Sequence, residues 1–390
     1  MTTPGPQDAA ASDEGPKIAV AGASGFIGAR LVEKLVAEHG ARVTALTRSR
    51  ASAARLAKAG ANAVVVDFAD QASIEHALRG HSVVFNLVYD FSVGEAANTR
   101  LFSTLLDAVE NAGVERFVHV STIAVYDAWP AGDLTENAPI SGPGDVYKSA
   151  KVAQEEALLA RFQAGALVPV IVQPTLVYGP GSRFWTDAIV DRMKAGRIVV
   201  PGDGAGLCNA VHVDDVADAM ILASQREDVA GERFIISAAQ PVTWREYFTM
   251  YESILGLEAV DYPTDCARPD DGAAPPAAGP VAALKAIATS VLGRKRIGAL
   301  KRKIMRAAAR LSGQPIVYQP TANEYAFYMS RGHCRIDKAR AQLGYDPAFA
   351  VTGDQTALTQ YLRGEAYGAP TASSEAGRQS DLKASPRLSS

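Results

Sequence analysis

Tyr147 and Lys151 stand four positions apart in a segment with helical apolar spacing. Two residues at this spacing share one face of an α-helix, so the phenol and the amine can lie side by side. A free tyrosine has a pKa of about 10, and a neighbouring ammonium would favour its phenolate. The pair can therefore move a proton to or from an oxygen of a bound molecule, although the same spacing also occurs on solvent-exposed helices.

Two hydroxyl side chains, Ser121 and Thr122, directly follow a short apolar run at residues 117–120. In a parallel sheet the carboxyl ends of the strands form the edge where ligands bind. A hydroxyl at this edge could hydrogen-bond the oxygen that Tyr147 protonates or deprotonates, and it could also be a simple strand cap. The presence of Tyr147 and Lys151 favours the first interpretation.

Three glycines, Gly22, Gly25 and Gly28, separate an apolar strand-like run from a segment with helical spacing. The first permits a tight turn, the second lets the backbone approach a pyrophosphate, and the third lets the helix pack closely on the strand. The amides at the start of the helix would then face the phosphates. An ordinary strand-to-helix turn is the alternative, but the flanking elements favour a dinucleotide site. The residues assigned to it here are Gly22, Ser24, Gly25, Phe26, Ile27 and Gly28.

The end of the second predicted strand bears on the identity of the dinucleotide. The strand ends at Thr47, and Arg48 and Arg50 follow it. NAD enzymes usually carry an acid here that binds the ribose 2′-hydroxyl, and this chain has none at that position. Two guanidinium groups are available for a 2′-phosphate instead, so NADP is favoured over NAD unless both arginines are only solvated loop charges.

Further cofactor contacts are expected after the third and fourth predicted strands. Asp67 could accept a hydrogen bond from the adenine amine, or it could cap a helix. Phe68 beside it is assigned to the same site, as is Leu87 at the end of the fourth strand.

Strand-like runs alternate with helical segments through the first 172 residues. Strands are predicted at 17–21, 42–47, 63–66, 83–88, 117–120 and 168–172, and helices at 26–39, 51–59, 74–78, 98–112 and 147–163. This alternation predicts an α/β fold with a doubly wound parallel sheet of the Rossmann type. The pattern loosens after Pro174, with helices near 214–224, 336–343 and 356–362. We therefore expect a smaller C-terminal α/β substrate-binding region.

Taken together, these motifs resemble those of the extended short-chain dehydrogenase/reductases of the NAD-dependent epimerase/dehydratase type. The resemblance rests on Tyr147 with Lys151 and on residues 22–28, 120–126, 174–180, 211–217 and 338–347. It implies that Thr122, Tyr147 and Lys151 are catalytic. The cofactor contacts assigned through it, beside those above, are Asn98, Ser121, Tyr147, Lys151 and Pro174.

Several positions depart from the usual pattern of that family, among them Ala21, Asp127 and Cys208 with Asn209, and two further departures bear on sugar-nucleotide epimerases. Residues 86–89 read Asn-Leu-Val-Tyr in place of the usual His-x-Ala-Ala, and Gln173 stands where an arginine is usual. These departures concern the substrate rather than the proton-transfer chemistry.

The bulk composition limits the classes of function. The chain has 390 residues, of which 48% are hydrophobic and 21% charged, as in ordinary globular proteins. A net charge of −3 argues against a general nucleic-acid binder. The three cysteines are far apart and indicate neither a disulfide framework nor a zinc site. The first 16 residues lack the features of a signal peptide, so a cytoplasmic location is expected.

The predicted domain organisation follows from composition. Residues 1–16 and 364–390 read as disordered tails, 17–175 as the dinucleotide-binding domain, and 176–363 as the substrate-binding region. The latter contains a Pro/Ala-rich linker at 268–280 and a basic insert at 281–311.

The basic insert, residues 281–311, contains nine lysines or arginines and no acids. Its apolar residues recur at spacings of three, four and seven, which predicts an amphipathic helix. Such a helix could lie on an anionic membrane, at the inner face of the bilayer. It could also be a solvated cover of the substrate region or a lid over an anionic substrate.

We therefore predict an NAD(P)-dependent oxidoreductase or epimerase that acts on a hydroxyl or carbonyl group by Tyr–Lys-assisted hydride transfer. The expected substrate is a sugar nucleotide or related sugar, with no metal and no nucleic-acid partner, and a homodimer is compatible with the sequence. A membrane-associated hydroxysteroid- or isoprenoid-type dehydrogenase is the alternative that the basic insert and the two departures favour. A non-catalytic NADP-binding sensor is the alternative from another class, and the intact Tyr147–Lys151 pair argues against it.

Overall fold

The computed structural model describes residues 15–126, 132–140, 144–269 and 316–364. Within these ranges the chain forms two compact units. The first comprises the described residues up to 125 and those of 141–172 and 217–233. The second comprises those of 126–140, 173–216 and 234 onward. The predicted tails, most of the linker and the whole basic insert lie outside the described residues, and the domain boundaries drawn from the sequence stay predictions.

The strands and helices of the first half alternate along the chain. They are β1 Ile18–Ala21, α1 Phe26–His39, β2 Val43–Thr47, α2 Arg50–Lys58, β3 Asn62–Val65, α3 Gln71–Leu78, β4 Val83–Asn86, α4 Glu95–Asn111, β5 Arg116–Val120, α5 Val146–Gln163 and β6 Pro169–Pro174.

Shorter elements make up the rest. They are β7 Leu176–Tyr178, α6 Ala188–Ala195, β8 Gly196–Val199, β9 Leu207–Cys208, β10 Ala210–His212, α7 Val213–Gln225, β11 Arg233–Ile236, β12 Val242–Thr243, α8 Trp244–Leu255, β13 Val260–Asp261, β14 Ile316–Tyr318, α9 Ala322–Met329, α10 Asp337–Leu343 and α11 Thr356–Arg363.

A seven-stranded sheet organises the fold, with the strand order β11-β6-β5-β4-β1-β2-β3. Every pairing from β6 to β3 is parallel. Strand β1 lies between β2 and β4, with Ala21 opposite both Leu46 and Asn86. The order reverses between β1 and β4, and this switch point is where ligands bind in open parallel sheets. The prediction of a doubly wound parallel sheet is confirmed.

Ion pairs join neighbouring helices within the first unit. On α5, Arg161 binds Asp107 and Glu110 of α4 at 2.6 and 2.5 Å. Lys34 of α1 binds Asp218 of α7 at 2.7 Å. All three pairs are partly exposed, so each adds well under about 1 kcal/mol to stability. The stability comes instead from the apolar core, which includes Leu105, Phe117 and Ile171, all with no exposed surface.

The second unit has its own core and its own small sheets. Its sheets are β10-β7, β12-β9 and β13-β8-β14. The aromatic side chains of α8, among them Trp244, Tyr247 and Tyr251, are buried in this core. Within the described ranges, no helix combines the length and the apolarity needed to cross a bilayer.

Candidate active site

The glycine turn after β1 is built so that no larger residue fits. Gly22 has φ +83°, and a Cβ placed there would lie 2.8 Å from the carbonyl carbon and oxygen of Leu87. A Cβ on Gly28 would overlap the carbonyl oxygen of Gly22. The Gly25 amide donates to that same oxygen at 3.0 Å, which closes the turn. The backbone here is therefore compact and bare, as a bound pyrophosphate requires.

Helix α1 starts at this turn with its first amides uncapped by any side chain. It begins at Phe26, and the cap residue Gly25 has no side chain to accept from the first turn. These N–H groups and the positive end of the helix dipole are thus available to an anion. Together with the glycine cradle they fit a dinucleotide pyrophosphate, as the sequence predicts.

Arginines surround the end of β2. Thr47 lies 3.3 Å from Ser24 through their hydroxyl oxygens, and Arg55 of α2 donates to the Ser24 carbonyl at 3.3 Å. Arg48 is 64% exposed and donates to the Asp90 carboxylate at 2.5 Å. Neither Arg55 nor Asp90 was predicted from the sequence. Arg55 lies in the helix predicted at 51–59, which could have brought it back toward the end of β2, whereas Asp90 comes from the segment after β4.

Asp67 and Phe68 have local structural roles. The Asp67 carboxylate is exposed and accepts from the Ala69 amide at 2.9 Å, while Asp70 caps α3 by accepting from Ala72. Phe68 is 4% exposed and belongs to the apolar core. These contacts are enough to account for both side chains. The assignment of Asp67 and Phe68 to the cofactor site stays a prediction.

The segment that follows β4, residues 87–94, is called the β4 loop below. It begins with the Leu87 amide donating to the Ala21 carbonyl at 2.9 Å. Asn98, buried in α4, fixes its middle, because it accepts from the Asp90 amide at 2.9 Å and donates to the Asp90 carbonyl at 3.0 Å. A third bond joins Asn98 to the Gly94 carbonyl at 3.3 Å. Asn98 thus holds this loop in place. Its assigned contact with the cofactor stays a prediction.

The three predicted catalytic residues come together at the end of β5 and the start of α5. Asp145 caps α5 and accepts from the amides of Tyr147 and Lys148 at 2.9 Å each, which sets the first turn of the helix. The Tyr147 phenol lies beside the Thr122 hydroxyl, and the Lys151 ammonium donates to the Val120 carbonyl at 2.8 Å.

The protonation states differ from the simple expectation that Lys151 ionises Tyr147. Burial raises the pKa of Tyr147 to about 12, with further upward contributions from Tyr89 and Asp145, while the contact with Thr122 lowers it. Burial lowers the pKa of Lys151 to about 8, and the charge of Glu155 opposes this change. The phenol is therefore neutral at pH 7, because burial disfavours its charged form.

Ser121 and Pro174 complete the predicted set. Ser121 is 2% exposed, and its hydroxyl has no hydrogen-bond partner within the described residues. An unpaired buried hydroxyl costs stability, so this donor is one that a bound ligand can satisfy. Pro174 is the last residue of β6. The particular role of each residue in the predicted set stays a prediction.

Two aromatic residues of the β4 loop cover the Tyr147 ring. Tyr89 meets it edge to face with centroids 5.0 Å apart, and Phe91 stacks on it at 5.7 Å and 20°. Phe91 is 61% exposed. The sequence predicts that the region after Tyr89 contributes to the substrate pocket, but it gives no role to either ring, although Tyr89 lies in the segment that departs from the epimerase pattern.

This geometry agrees with what known proteins share with the chain. The profile of the NAD dependent epimerase/dehydratase family matches residues 18–237. The chain belongs to this family. The resemblance noted in the sequence is confirmed, and the protein is an enzyme of the epimerase/dehydratase type.

Two relatives and one solved structure illustrate the range of this family. A 4-hydroxy-2-methyl-3-oxo-4-farnesyl-3,4-dihydroquinoline-1-oxide ketoreductase from Stigmatella aurantiaca is 27% identical over 336 residues, covering 84% of this chain and 90% of that protein. A 2-alkyl-3-oxoalkanoate reductase from Stenotrophomonas maltophilia (strain K279a) is 27% identical over 262 residues, or 63% and 77% of the two chains. The structure of MoeE5 in complex with UDP-glucose and NAD covers 90% of this chain and 99% of its own, with 21% identity and a TM-score of 0.63. At that identity the likeness shows the fold alone.

Proposed function

We propose that this enzyme is an NADP-dependent ketoreductase for an apolar ketone, with the reverse alcohol oxidation open to the same site. The observation that carries the proposal is the packing of Tyr89 and Phe91 against Tyr147. A substrate whose oxygen reaches Tyr147 must displace or slide along these two rings. Aromatic faces favour apolar or planar groups over the heavily hydrated hydroxyls of a sugar.

In this proposal the side chains of the chain handle the oxygen and its proton. A bound nicotinamide supplies or accepts the hydride. The Thr122 hydroxyl hydrogen-bonds the substrate carbonyl oxygen and Tyr147 donates its phenolic proton to it. Lys151, buried behind the phenol, supplies the positive charge that stabilises the phenolate left after the transfer. Ser121 offers a hydroxyl that a bound ligand can satisfy.

The protonation state of Tyr147 suits the role of general acid. A general acid must carry its proton when the substrate binds. Burial raises the pKa of Tyr147 to about 12, so the phenol carries its proton at physiological pH.

The relatives supply the substrate class. The Stigmatella aurantiaca protein is named for a farnesylated ring ketone, and the Stenotrophomonas maltophilia protein for a 2-alkyl-3-oxoalkanoate. Both substrates are carbonyl compounds with large apolar groups. The absence of the His-x-Ala-Ala pattern at residues 86–89 is consistent with this class.

The cofactor preference rests on arginines at the end of β2. Arg48 directly follows β2, Arg55 donates to the Ser24 carbonyl, and β2 itself ends without a carboxylate. Guanidinium groups there suit a 2′-phosphate, so NADP is the proposed cofactor.

A sugar nucleotide remains the second candidate, because MoeE5, which shares the fold, is described with UDP-glucose and NAD. The two candidates differ in net chemistry. A ketoreductase consumes one reduced cofactor per turnover and releases it oxidised, whereas an epimerase returns the hydride and shows no net change.

The test is a substrate comparison with two loop variants. Purified enzyme is mixed with NADPH or NADH and with 2-alkyl-3-oxoalkanoates, a prenylated ring ketone or UDP-glucose, and absorbance at the nicotinamide band is followed. We expect oxidation of NADPH with an apolar ketone, a KM at least about tenfold higher for Tyr89→Ala, and near wild-type behaviour for Tyr89→Phe, which keeps the ring. Conversion of UDP-glucose without cofactor turnover, with all ketones inert, would establish the second candidate instead.

A further inference from the structure

One ion pair links the two sides of the predicted cofactor crevice. Strand β1 lies between β2 and β4, and the Gly22 turn follows it directly. Arg48 comes just after β2 and Asp90 lies in the β4 loop, yet their side chains meet at 2.5 Å. Since neighbouring strands are about 4.8 Å apart, a contact between segments that follow β2 and β4 must pass over the end of β1. The ion pair therefore lies beside the glycine turn.

The Asp90 carboxylate is held firmly in this position. One of its oxygens accepts from the Ser92 amide at 2.9 Å and the Ser92 hydroxyl at 2.5 Å, and the other accepts from Arg48. The backbone of Asp90 is clamped by Asn98 on both its amide and its carbonyl. The hydrogen bonds from Ser92 and Arg48 lower the pKa of Asp90 to about 2, so the group is an anion throughout the physiological range.

Arg48, by contrast, lies largely in solvent. Its side chain is 64% exposed, whereas that of Asp90 is 18% exposed. A dinucleotide lying along the glycine turn brings its adenosine ribose to the end of β2, where an arginine accommodates a 2′-phosphate. The phosphate and the Asp90 carboxylate would then compete for one guanidinium group, or share it at the cost of repulsion between two anions.

We propose that Asp90 is a cofactor-specificity residue that weakens NADP binding by occupying Arg48. This inference rests on the proposed role of Arg48 as the 2′-phosphate ligand. NAD carries an uncharged hydroxyl at that position, so it does not compete with the Asp90 carboxylate for the Arg48 guanidinium group. The enzyme thus binds NADP less tightly than its arginines alone would allow.

The substitution Asp90→Asn tests the negative charge of Asp90 separately from its hydrogen bonds. Asparagine retains an oxygen that can accept both bonds from Ser92, so the loop keeps its internal contacts, while the negative charge toward Arg48 is removed. Ser92→Ala is the matched control, because it removes a bond to Asp90 and leaves the pair with Arg48 in place. The dissociation constants of NADP⁺ and NAD⁺ are measured by calorimetry for the wild type, both variants, Arg48→Ala and the double variant.

We expect Asp90→Asn to tighten NADP⁺ binding about three- to tenfold and to leave NAD⁺ within twofold, with Ser92→Ala close to the wild type for both. In the Arg48→Ala background, Asp90→Asn should change NADP⁺ binding by less than twofold, because the shared partner is gone. The inference is wrong if Asp90→Asn leaves NADP⁺ binding unchanged, or tightens it equally without Arg48. It is also wrong if NAD⁺ binding weakens, since Asp90 would then bind the ribose hydroxyl itself.

The two proposals fail in different ways. A wild-type protein that binds NADP⁺ and NAD⁺ equally contradicts the proposed NADP preference. If Asp90→Asn then gains affinity for NADP⁺, the masking of Arg48 by Asp90 is the reason for that equality and the inference stands.

Discussion

At Tyr147 the substitution Tyr147→Phe removes a single oxygen and keeps the ring that packs against Tyr89 and Phe91. The fold and the cofactor site should therefore be unaffected. We expect turnover to fall at least about 10²-fold, the scale of a lost general acid, while the dissociation constant of the cofactor stays within threefold. Steady-state rates and calorimetry measure the two quantities. A variant that retains more than a tenth of the activity would mean that another group supplies the proton.

Lys151 offers a second test, through stability rather than rate. Burial lowers its pKa from 10.5 to about 8, so between these pH values the unfolded chain binds more protons than the folded one. The free energy of unfolding should then rise as the pH increases from about 8 to 10.5, and it should gain up to a few kcal/mol from this residue. Below about pH 8 the lysine is charged in both states and contributes no slope.

Lys151→Met removes this titration and keeps a side chain of similar length. Urea unfolding at pH 7.5, 8.5 and 9.5 should show the wild type gaining stability relative to the methionine variant as the pH rises. Parallel curves for the two proteins would mean that Lys151 is not desolvated in the folded enzyme.

At the scale of single elements, the β4 loop depends on one buried amide of α4. Asn98→Ala leaves the amide and carbonyl of Asp90 without their partner, which should lower the free energy of unfolding by about 1–3 kcal/mol. It should also speed hydrogen exchange in residues 89–92. Thr99→Ala is the control, because the Thr99 hydroxyl bonds only to Glu95 in its own helix. If residues 89–92 exchange hydrogen at the same rate in both variants, then the bonds between Asn98 and Asp90 do not order this loop.

Apolar periodicity and glycine spacing were enough to predict six of the seven strands of the large sheet, all except β11. They failed at helix starts with polar first turns: α4 begins at Glu95 rather than at Asn98, since its first residues carry no apolar signal. They also failed for the strands of the second unit, such as Leu207–Cys208, which are too short to show any periodicity.

The predicted catalytic residues could be picked out from the sequence because they lie near the end of a recognisable strand and the start of a recognisable helix. The pairing of Arg48 with Asp90 could not, since it depends on the order of the strands in the sheet, which places β2 and β4 on either side of β1. The same holds for the two aromatic rings on Tyr147. Contacts of this kind join segments that are more than 40 residues apart and leave no local pattern.

For the whole molecule, the basic insert at 281–311 is a separate prediction, since it lies outside the described residues. Its nine positive charges should each contribute about 1 kcal/mol near an anionic bilayer, and this attraction should weaken with salt. We expect the full chain to co-sediment with anionic liposomes at low salt and to ignore neutral ones. A chain lacking 281–311 should remain in the supernatant and keep its activity on a soluble ketone.

Failure of the full chain to bind anionic liposomes would leave the insert as a cover or lid of the substrate region. Loss of activity on deletion, without membrane binding, would favour the lid.

Asp90 has Tyr89 on one side and Phe91 on the other, so the carboxylate that meets Arg48 belongs to the same short loop as the rings that meet Tyr147. On the proposed function, a 2′-phosphate that draws Arg48 away from Asp90 acts on the same loop that an apolar ketone would contact. If the two ligands are coupled through this loop, thermodynamic reciprocity requires that each change the affinity for the other by the same factor. The effect of the ketone on NADP binding and the effect of NADP on ketone binding would then be two measurements of one coupling free energy.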